Sequence, residues 1–389
     1  MLMKCLVVGC GLTGAVIARE LAEEGVAVEI LERRNHIGGN MYDYVDNHGF
    51  LVQKYGPHTF HTKNKSLFEY MCRFEEWEPY KLCCGAVWGG KFTPTPFNFT
   101  TIDTFYSHDE AERLKKKIVS VFKERKTATV LEVLEHPDED IRAYALFLYN
   151  NDYAPYTAKQ WGVSPEEIDA TVLARVPLRF SYNTGYFDDP FEVMPVHSFS
   201  TFFERILNHP NIKICLGVEA SDHLSVREDK IYLEGNPISY PVVYSGTLDE
   251  LFGFQYGKLP YRSLRFEWKY ETIDSFQAAP VVAYPQEPTF TRITEYKKLP
   301  IQNGLGTSYA VEYSIPYKEG ENVEPYYPVL TEASQSQHHK YIELADKIPN
   351  LVYCGRLADF KYYNMDQALE RALSISSWLK EKYVKHITC

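Results

Sequence analysis

The chain has 389 residues, a formal net charge of −11, 45% hydrophobic and 24% charged residues, and 30 tyrosines. This is the balance of a globular protein with core enough for two or three domains. It argues against a disordered chain and, through its acidity, against non-specific binding to nucleic acid or an acidic membrane. No apolar run approaches a membrane span, and the first strand is too soon interrupted for a signal peptide. The 8 cysteines are scattered, with no CxxC pair, so they are expected to be the reduced thiols of a cytoplasmic protein.

Lys4 to Val8 is expected as a short buried strand, Ala15 to Glu24 as an amphipathic helix, and Val26 to Leu31 as a second strand ending on Glu32. Between the first strand and the helix lies Gly9-Cys10-Gly11-Leu12-Thr13-Gly14, a GxGxxG turn in the context that gives it meaning. Gly9 permits the tight turn, Gly11 lets the backbone approach a pyrophosphate, and Gly14 lets helix and strand pack closely. The pyrophosphate would lie on the helix N-terminus, and Glu32 would accept hydrogen bonds from ribose hydroxyls. Arg33 follows the acid, and Gly38-Gly39-Asn40 supplies a second glycine pair, as where a chain crosses a flavin dinucleotide. An NADP site would more often replace the acid with a residue accepting a 2′-phosphate, so flavin is favoured over nicotinamide.

Further along, Ser66 to Trp77 is expected as helix and Lys81 to Phe92 as paired strands around Gly89-Gly90, with the pattern broken at Thr93 to Asn98. The stretch from Thr101 to Tyr149 is mostly helical in pattern, and Lys115-Lys116-Lys117 suits an exposed helix face. Asn150 to Gly162 is a dense polar and aromatic stretch, and Ser164-Pro165-Glu166-Glu167 looks like a helix start. Strands are expected at Ser181 to Phe187, Ile212 to Val218, Lys230 to Leu233, Pro241 to Ser245 and Asn350 to Cys354. The middle three are consistent with a return to the nucleotide-binding domain. Arg262 to Tyr270, Ala279 to Tyr284 and Tyr309 to Ser314 suggest an antiparallel sheet, and Met365 to Lys382 closes the chain as a helix. His58 and His61 form an HxxH pair with no third ligand at a convincing spacing, so no metal is expected.

Four segments narrow the chemistry: YGPHTFHT at Tyr55–Thr62, YTAKQWG at Tyr156–Gly162, TRITEY at Thr291–Tyr296 and GRLADFKYYNMD at Gly355–Asp366. With ARVPLRF at Ala174–Phe180, GYF at Gly185–Phe187 and EPYYPV at Glu324–Val329, they resemble the UDP-galactopyranose mutase family, in the same order and across essentially the whole chain. The resemblance implies an α/β fold: a discontinuous Rossmann-like FAD-binding domain with an inserted helical domain and an antiparallel β-sheet domain. The expected division gives residues 1–65, 195–250 and 340–389 to FAD binding and residues 66–80 and 100–178 to the helical part. Residues 81–99, 179–194 and 251–339 go to the sheet.

The implied activity is an FAD-dependent isomerisation between UDP-galactopyranose and UDP-galactofuranose, with no net redox change. Reduced flavin N5 would attack the anomeric carbon, and the adduct would open to an iminium before the ring recloses. The resemblance further implies a cytoplasmic homodimer serving cell-surface polysaccharide synthesis. By the same resemblance, Arg175 and Arg292 are the phosphate-binding pair, and Tyr156, Tyr186, Tyr327 and Tyr362 surround the diphosphate. Tyr153, Thr157, Trp161 and Asn364 join them in the substrate pocket. Cofactor contacts fall to Gly9, Gly11, Leu12, Thr13, Gly14, Glu32, Arg33, Gly38, Gly39, Asn40, His58, His61, Val218, Gly355, Arg356 and Met365, with a proton-handling role for His58.

Asp152 stands where the family has an aromatic that helps hold the uracil, Ala283 where it has an asparagine, and Asn364 where many members carry aspartate. These departures concentrate on the nucleotide and sugar ends. dTDP-fucose and UDP-N-acetylgalactosamine are therefore alternative substrates. A flavin oxidoreductase of the amine-oxidase type shares the amino-terminal fingerprint but leaves the arginine pair and clustered tyrosines unexplained, and a non-catalytic dinucleotide sensor would not need the second pocket.

Overall fold

The structure, a computed structural model, describes residues 3–162, 164, 173, 176–318 and 323–384. The expected helix start at Ser164–Glu167 and Arg175, the expected phosphate ligand, fall largely outside them: of these residues only Ser164 is described.

The fold grows from the amino-terminal unit. β1 (Lys4–Val8) and β2 (Ala27–Glu32) pair in parallel, and α1 (Leu12–Glu23) crosses between them. Val16, Ile17 and Leu21 of α1 are almost wholly buried, and each such side chain contributes about 1.5–3 kcal/mol over leaving it in water. The helix packs against the closing helix Met365–Leu379, which ends in a further π-turn at Lys380–Val384. The sheet is completed by Ile212–Leu216, Val242–Tyr244 and Leu351–Tyr353, giving five parallel strands drawn from both ends and the middle of the chain.

A seven-stranded sheet forms the second layer, in the order Tyr327–Pro328, Tyr261–Glu271, Thr307–Pro316, Arg292–Glu295, Val281–Ala283, Cys84–Trp88, Lys91–Thr95. It is antiparallel except between Val281–Ala283 and Cys84–Trp88, which run parallel. Helices Phe99–Phe105, His108–Phe122 and Glu139–Leu148 build a separate apolar core around Ile118, Ile141 and Leu148.

Four local expectations are corrected. The helix at Ser66–Trp77 spans only Lys65–Met71, and Trp77–Pro79 is a strand. Lys91–Thr95 stays a strand through Pro94, which is tolerated because this is the sheet's edge. Ser181 to Phe187 is irregular apart from a single bridge between Gly185 and Cys83. The strand lies instead at Phe191–Pro195, paired with Phe60–Thr62 and Trp77–Pro79. Lys230–Leu233 joins a small antiparallel meander with Leu224–Arg227 and Asn236–Ile238, outside the parallel sheet. Among the described residues, no helix is long and apolar enough to cross a membrane.

Candidate active site

Two cavities share a wall. The first follows the glycine turn, lined by Gly9, Gly11, Leu12, Thr13, Gly14, Glu32, Arg33, Gly38, Gly39, Asn40, Val218 and Gly355. The second, of about 610 Å³, lies between the helical part and the seven-stranded sheet. His58, Arg356, Tyr363, Asn364 and Met365 line both.

The first cavity is shaped by what the glycines lack. Gly9 has φ +98°, and a Cβ on Gly14 would come within 2.0 Å of the Gly9 carbonyl oxygen. A Cβ on Gly39 would meet the Gly11 Cα at 2.8 Å, whereas one on Gly11 would find nothing nearer than 3.8 Å. The turn is therefore closed on its protein side and open on its cavity side, as a backbone cradle for a pyrophosphate requires. Glu32 is 6% exposed, and its oxygens accept from the Cys10 N–H at 2.7 Å and the Arg34 N–H at 2.9 Å. These bonds fix the carboxylate, and each oxygen keeps a lone pair for a ribose hydroxyl. The donor and cradle set fits a dinucleotide such as FAD.

Arg33 and Arg34 both pair with Glu324, and Arg34 lies 4.2 Å over the Tyr55 ring. Arg356 sits 5.2 Å from the rings of Tyr327 and Tyr362, which stack at 5.4 Å with Trp161 against both. A guanidinium over a pair of aromatic rings is held by their quadrupoles at the junction of the two cavities.

His58 donates from Nδ1 to the Gly56 carbonyl at 2.9 Å. Burial, with the Arg356 and Arg292 charges adding to it against that bond, pushes its pKa down to about 4. The ring is therefore neutral at pH 7, and with the proton on Nδ1 its Nε2 is an acceptor. His61 lines the second cavity and not the first; its Nδ1 pairs with Asp189 at 2.7 Å and its ring stacks on Phe187. Among the described residues, no group of three His, Cys, Asp or Glu side chains is arranged to hold a metal.

Tyr153, Tyr156, Thr157, Trp161, Tyr186, Arg292, Tyr327 and Tyr362 all line the second cavity. Arg292 directs Nε and Nη2 to one oxygen of Glu312, each at 2.8 Å. Burial works against its charge, but Glu312, with Tyr156 and Tyr327, outweighs that and holds the guanidinium protonated. Its Nη1 has no acceptor among the described residues, and neither the Tyr156 nor the Tyr327 hydroxyl has a protein partner there. Tyr153 differs, since its hydroxyl is committed to the Val176 carbonyl at 2.7 Å and only its ring is left to face a ligand.

Sequence reasoning did not single out Glu312, Tyr55 or Asp189 as site residues. Glu312 lies directly across the sheet from Arg292, a relation only strand register reveals. Tyr55 and Asp189 carried a weaker signal, standing in or beside the quoted segments.

Fold and site together define a dinucleotide-binding α/β protein with a second, aromatic and cationic cavity opening onto the cofactor cradle. The chain belongs to the UDP-galactopyranose mutase family and is an isomerase: the family's profile matches residues 152–362. The profile of an NAD(P)-binding Rossmann-like domain matches residues 7–74. The chain is 34% identical over 377 residues to a UDP-galactopyranose mutase of Mycoplasma pneumoniae, covering 95% of this chain and 94% of that one. It is 32% identical to a dTDP-fucopyranose mutase of Escherichia coli, covering 98% and 99%. A crystal structure of reduced UDP-galactopyranose mutase shares the fold, with TM-score 0.72 at 15% identity over 98% of this chain and 94% of that one.

Proposed function

We propose that the protein binds FAD in the first cavity and interconverts the pyranose and furanose forms of a nucleotide-diphosphate galactose in the second. The observation that carries this is a charged arginine with one nitrogen, and two tyrosine hydroxyls, uncommitted among the described residues, in a cavity sharing a wall with the glycine cradle. Bound there, a reduced flavin supplies a nucleophile for the anomeric carbon, which a ring contraction without net redox change requires.

The chain's own residues do the rest. The diphosphate leaves as an anion and must be kept for recapture. Arg292 offers it Nη1 in a buried setting, where a charge-assisted hydrogen bond is strong. Tyr156 and Tyr327 donate to the same oxygens. Glu312 fixes the guanidinium before substrate arrives, so binding loses little side-chain entropy. Arg356, Tyr327, Tyr362 and Trp161 close the wall between cavities and keep water from the sugar while its ring is open. His58 is neutral at rest, and its Nε2 accepts a hydrogen bond or takes up a proton at that wall. Arg175 joins Arg292 as the second phosphate ligand on the strength of the sequence resemblance.

UDP-galactose is the first reading of the substrate. The similarity to the Escherichia coli relative supports dTDP-fucose as a second. The test is to incubate dithionite-reduced protein with UDP-galactofuranose and, separately, dTDP-fucofuranose, and to separate products by chromatography. Formation of the matching pyranose supports the reading and selects the nucleotide. No product from either, alongside oxidation of an amine, overturns it.

A further inference from the structure

Asp152 carries no role in the reading above, yet its environment is unusual for a carboxyl. It sits on a π-turn, Tyr149–Tyr153, which joins Glu139–Leu148 to the helix Ala154–Trp161. Such turns force side chains out of ordinary helical register and recur at functional sites. The residue is 9% exposed and lines the second cavity. Among the described residues its side chain accepts no hydrogen bond. The cation that acts on it, Lys159, has Nζ bound to the carbonyls of Tyr284 and Glu287, each at 2.6 Å. A buried carboxyl without a protein partner is costly unless a ligand completes it.

Its position in the cavity is given by its neighbours. Tyr327 and Tyr362 lie at the shared wall, Arg292 interacts with both Tyr327 and Tyr156, and Asp152 interacts with Tyr156. A diphosphate on Arg292 with its sugar toward the shared wall leaves the nucleoside at the Asp152 end. An ionised carboxylate there would face the substrate's phosphates and the two carbonyls flanking N3 of a uracil or thymine. A neutral acid presents one donor beside one acceptor, matching a ring carbonyl beside N3–H.

On the basis of that nucleotide-sugar reading, we propose that Asp152 is a specificity-determining residue that, as a neutral acid, pairs with the imide edge of the substrate's pyrimidine base. Burial pushes this carboxyl up to about 7, against the pull of Lys159. The other groups that interact with it are the phenols of Tyr153 and Tyr156, which burial keeps protonated. The strand Cys84–Trp88, packed against the π-turn, adds the Cys84 thiol to the cavity, and burial keeps that thiol protonated. The incoming diphosphate adds negative charge and favours the acid form further.

The test is calorimetric binding of UDP, 2′-deoxy-UDP and N3-methyl-UDP to the flavin-loaded protein. Wild type is expected to bind UDP and 2′-deoxy-UDP alike and N3-methyl-UDP about 10- to 100-fold more weakly. Asp152→Asn, which offers the same donor–acceptor edge, keeps UDP within about threefold, while Asp152→Ala loses about 10- to 100-fold. Between pH 6 and 8.5, wild-type affinity for UDP falls relative to that of Asp152→Asn. Equal binding of UDP and N3-methyl-UDP by wild type overturns the proposal without any variant, and so does an Asp152→Asn as weak as Asp152→Ala. A deficit for 2′-deoxy-UDP that Asp152→Ala abolishes also overturns it, giving the carboxylate to the ribose. Wild type that binds no uridine nucleotide overturns the substrate reading and this proposal together.

Discussion

The two cavities are built from different materials. The first is a backbone structure: glycines bring peptide groups close, and its conspicuous side chain, Glu32, is held by backbone N–H groups. The second is made of side chains brought from Tyr55 to His61, the Tyr149–Trp161 turn and helix, five strands of the seven-stranded sheet and the Arg356–Met365 segment. A backbone cradle depends on local sequence and tolerates little change in shape. A side-chain cavity depends on tertiary register, and its members can be exchanged one at a time. The contrast predicts that the cofactor site fails all at once and the substrate site by degrees.

The largest effect should come from Gly14→Val. Its Cβ would clash with the Gly9 carbonyl at 2.0 Å, and overpacking of this kind costs about 1–3 kcal/mol. Flavin absorbance after purification should be lost and the melting temperature lowered. A yellow, stable variant would show that the cradle is not the cofactor site.

Arg292→Ala should lower kcat/KM about 10²–10³-fold, the size of losing a charged donor to a developing anion. Flavin should remain bound, and its loss would move Arg292 to the cofactor side. Glu312→Gln should cost less, about 10-fold and mainly in KM, since it loosens the guanidinium without removing it. Tyr327→Phe should cost about 5- to 10-fold in kcat/KM, one neutral donor's worth. Loss of flavin from either variant would erase the separation between the two regions.

The smallest effect concerns stability at the shared wall. The folded-state pKa of His58, about 4, lies below the ordinary value of 6.5. Between these values the unfolded chain binds the extra proton, so the contribution of His58 is fully present above about 6.5 and drains away as pH falls toward 4. The melting temperature of His58→Gln should therefore decline less than wild type over that range. Parallel curves would mean that the ring is not held neutral.

The same contrast explains what the sequence made legible. The strand–turn–helix–strand unit was readable because its signals are local: spacing, glycines and a terminal acid. The cavity residues of the quoted segments could be named, but not what engages them. Nothing near TRITEY points to Glu312, which arrives through the pairing of Arg292–Glu295 with Thr307–Pro316. The π-turn breaks the period of 3.6 residues per turn and shows in the sequence only as a dense polar and aromatic stretch. The aromatic-rich Ser181 to Phe187 suggested a strand, but Asn183 and Arg179 bond to Asp188 and hold the segment as a loop. The nearby strand, Phe191–Pro195, came without an alternating pattern to mark it.

The central claim is that a dinucleotide cradle of oxidoreductase type serves a reaction with no net redox change. The most direct measurement follows the flavin spectrum of anaerobically reduced protein through many turnovers of UDP-galactofuranose or dTDP-fucofuranose, whichever is converted. The account predicts sustained conversion to the pyranose while the flavin stays reduced, no reductant is consumed and oxidised protein is inactive. Reoxidation of one flavin per product formed, or equal turnover by oxidised protein, would contradict it.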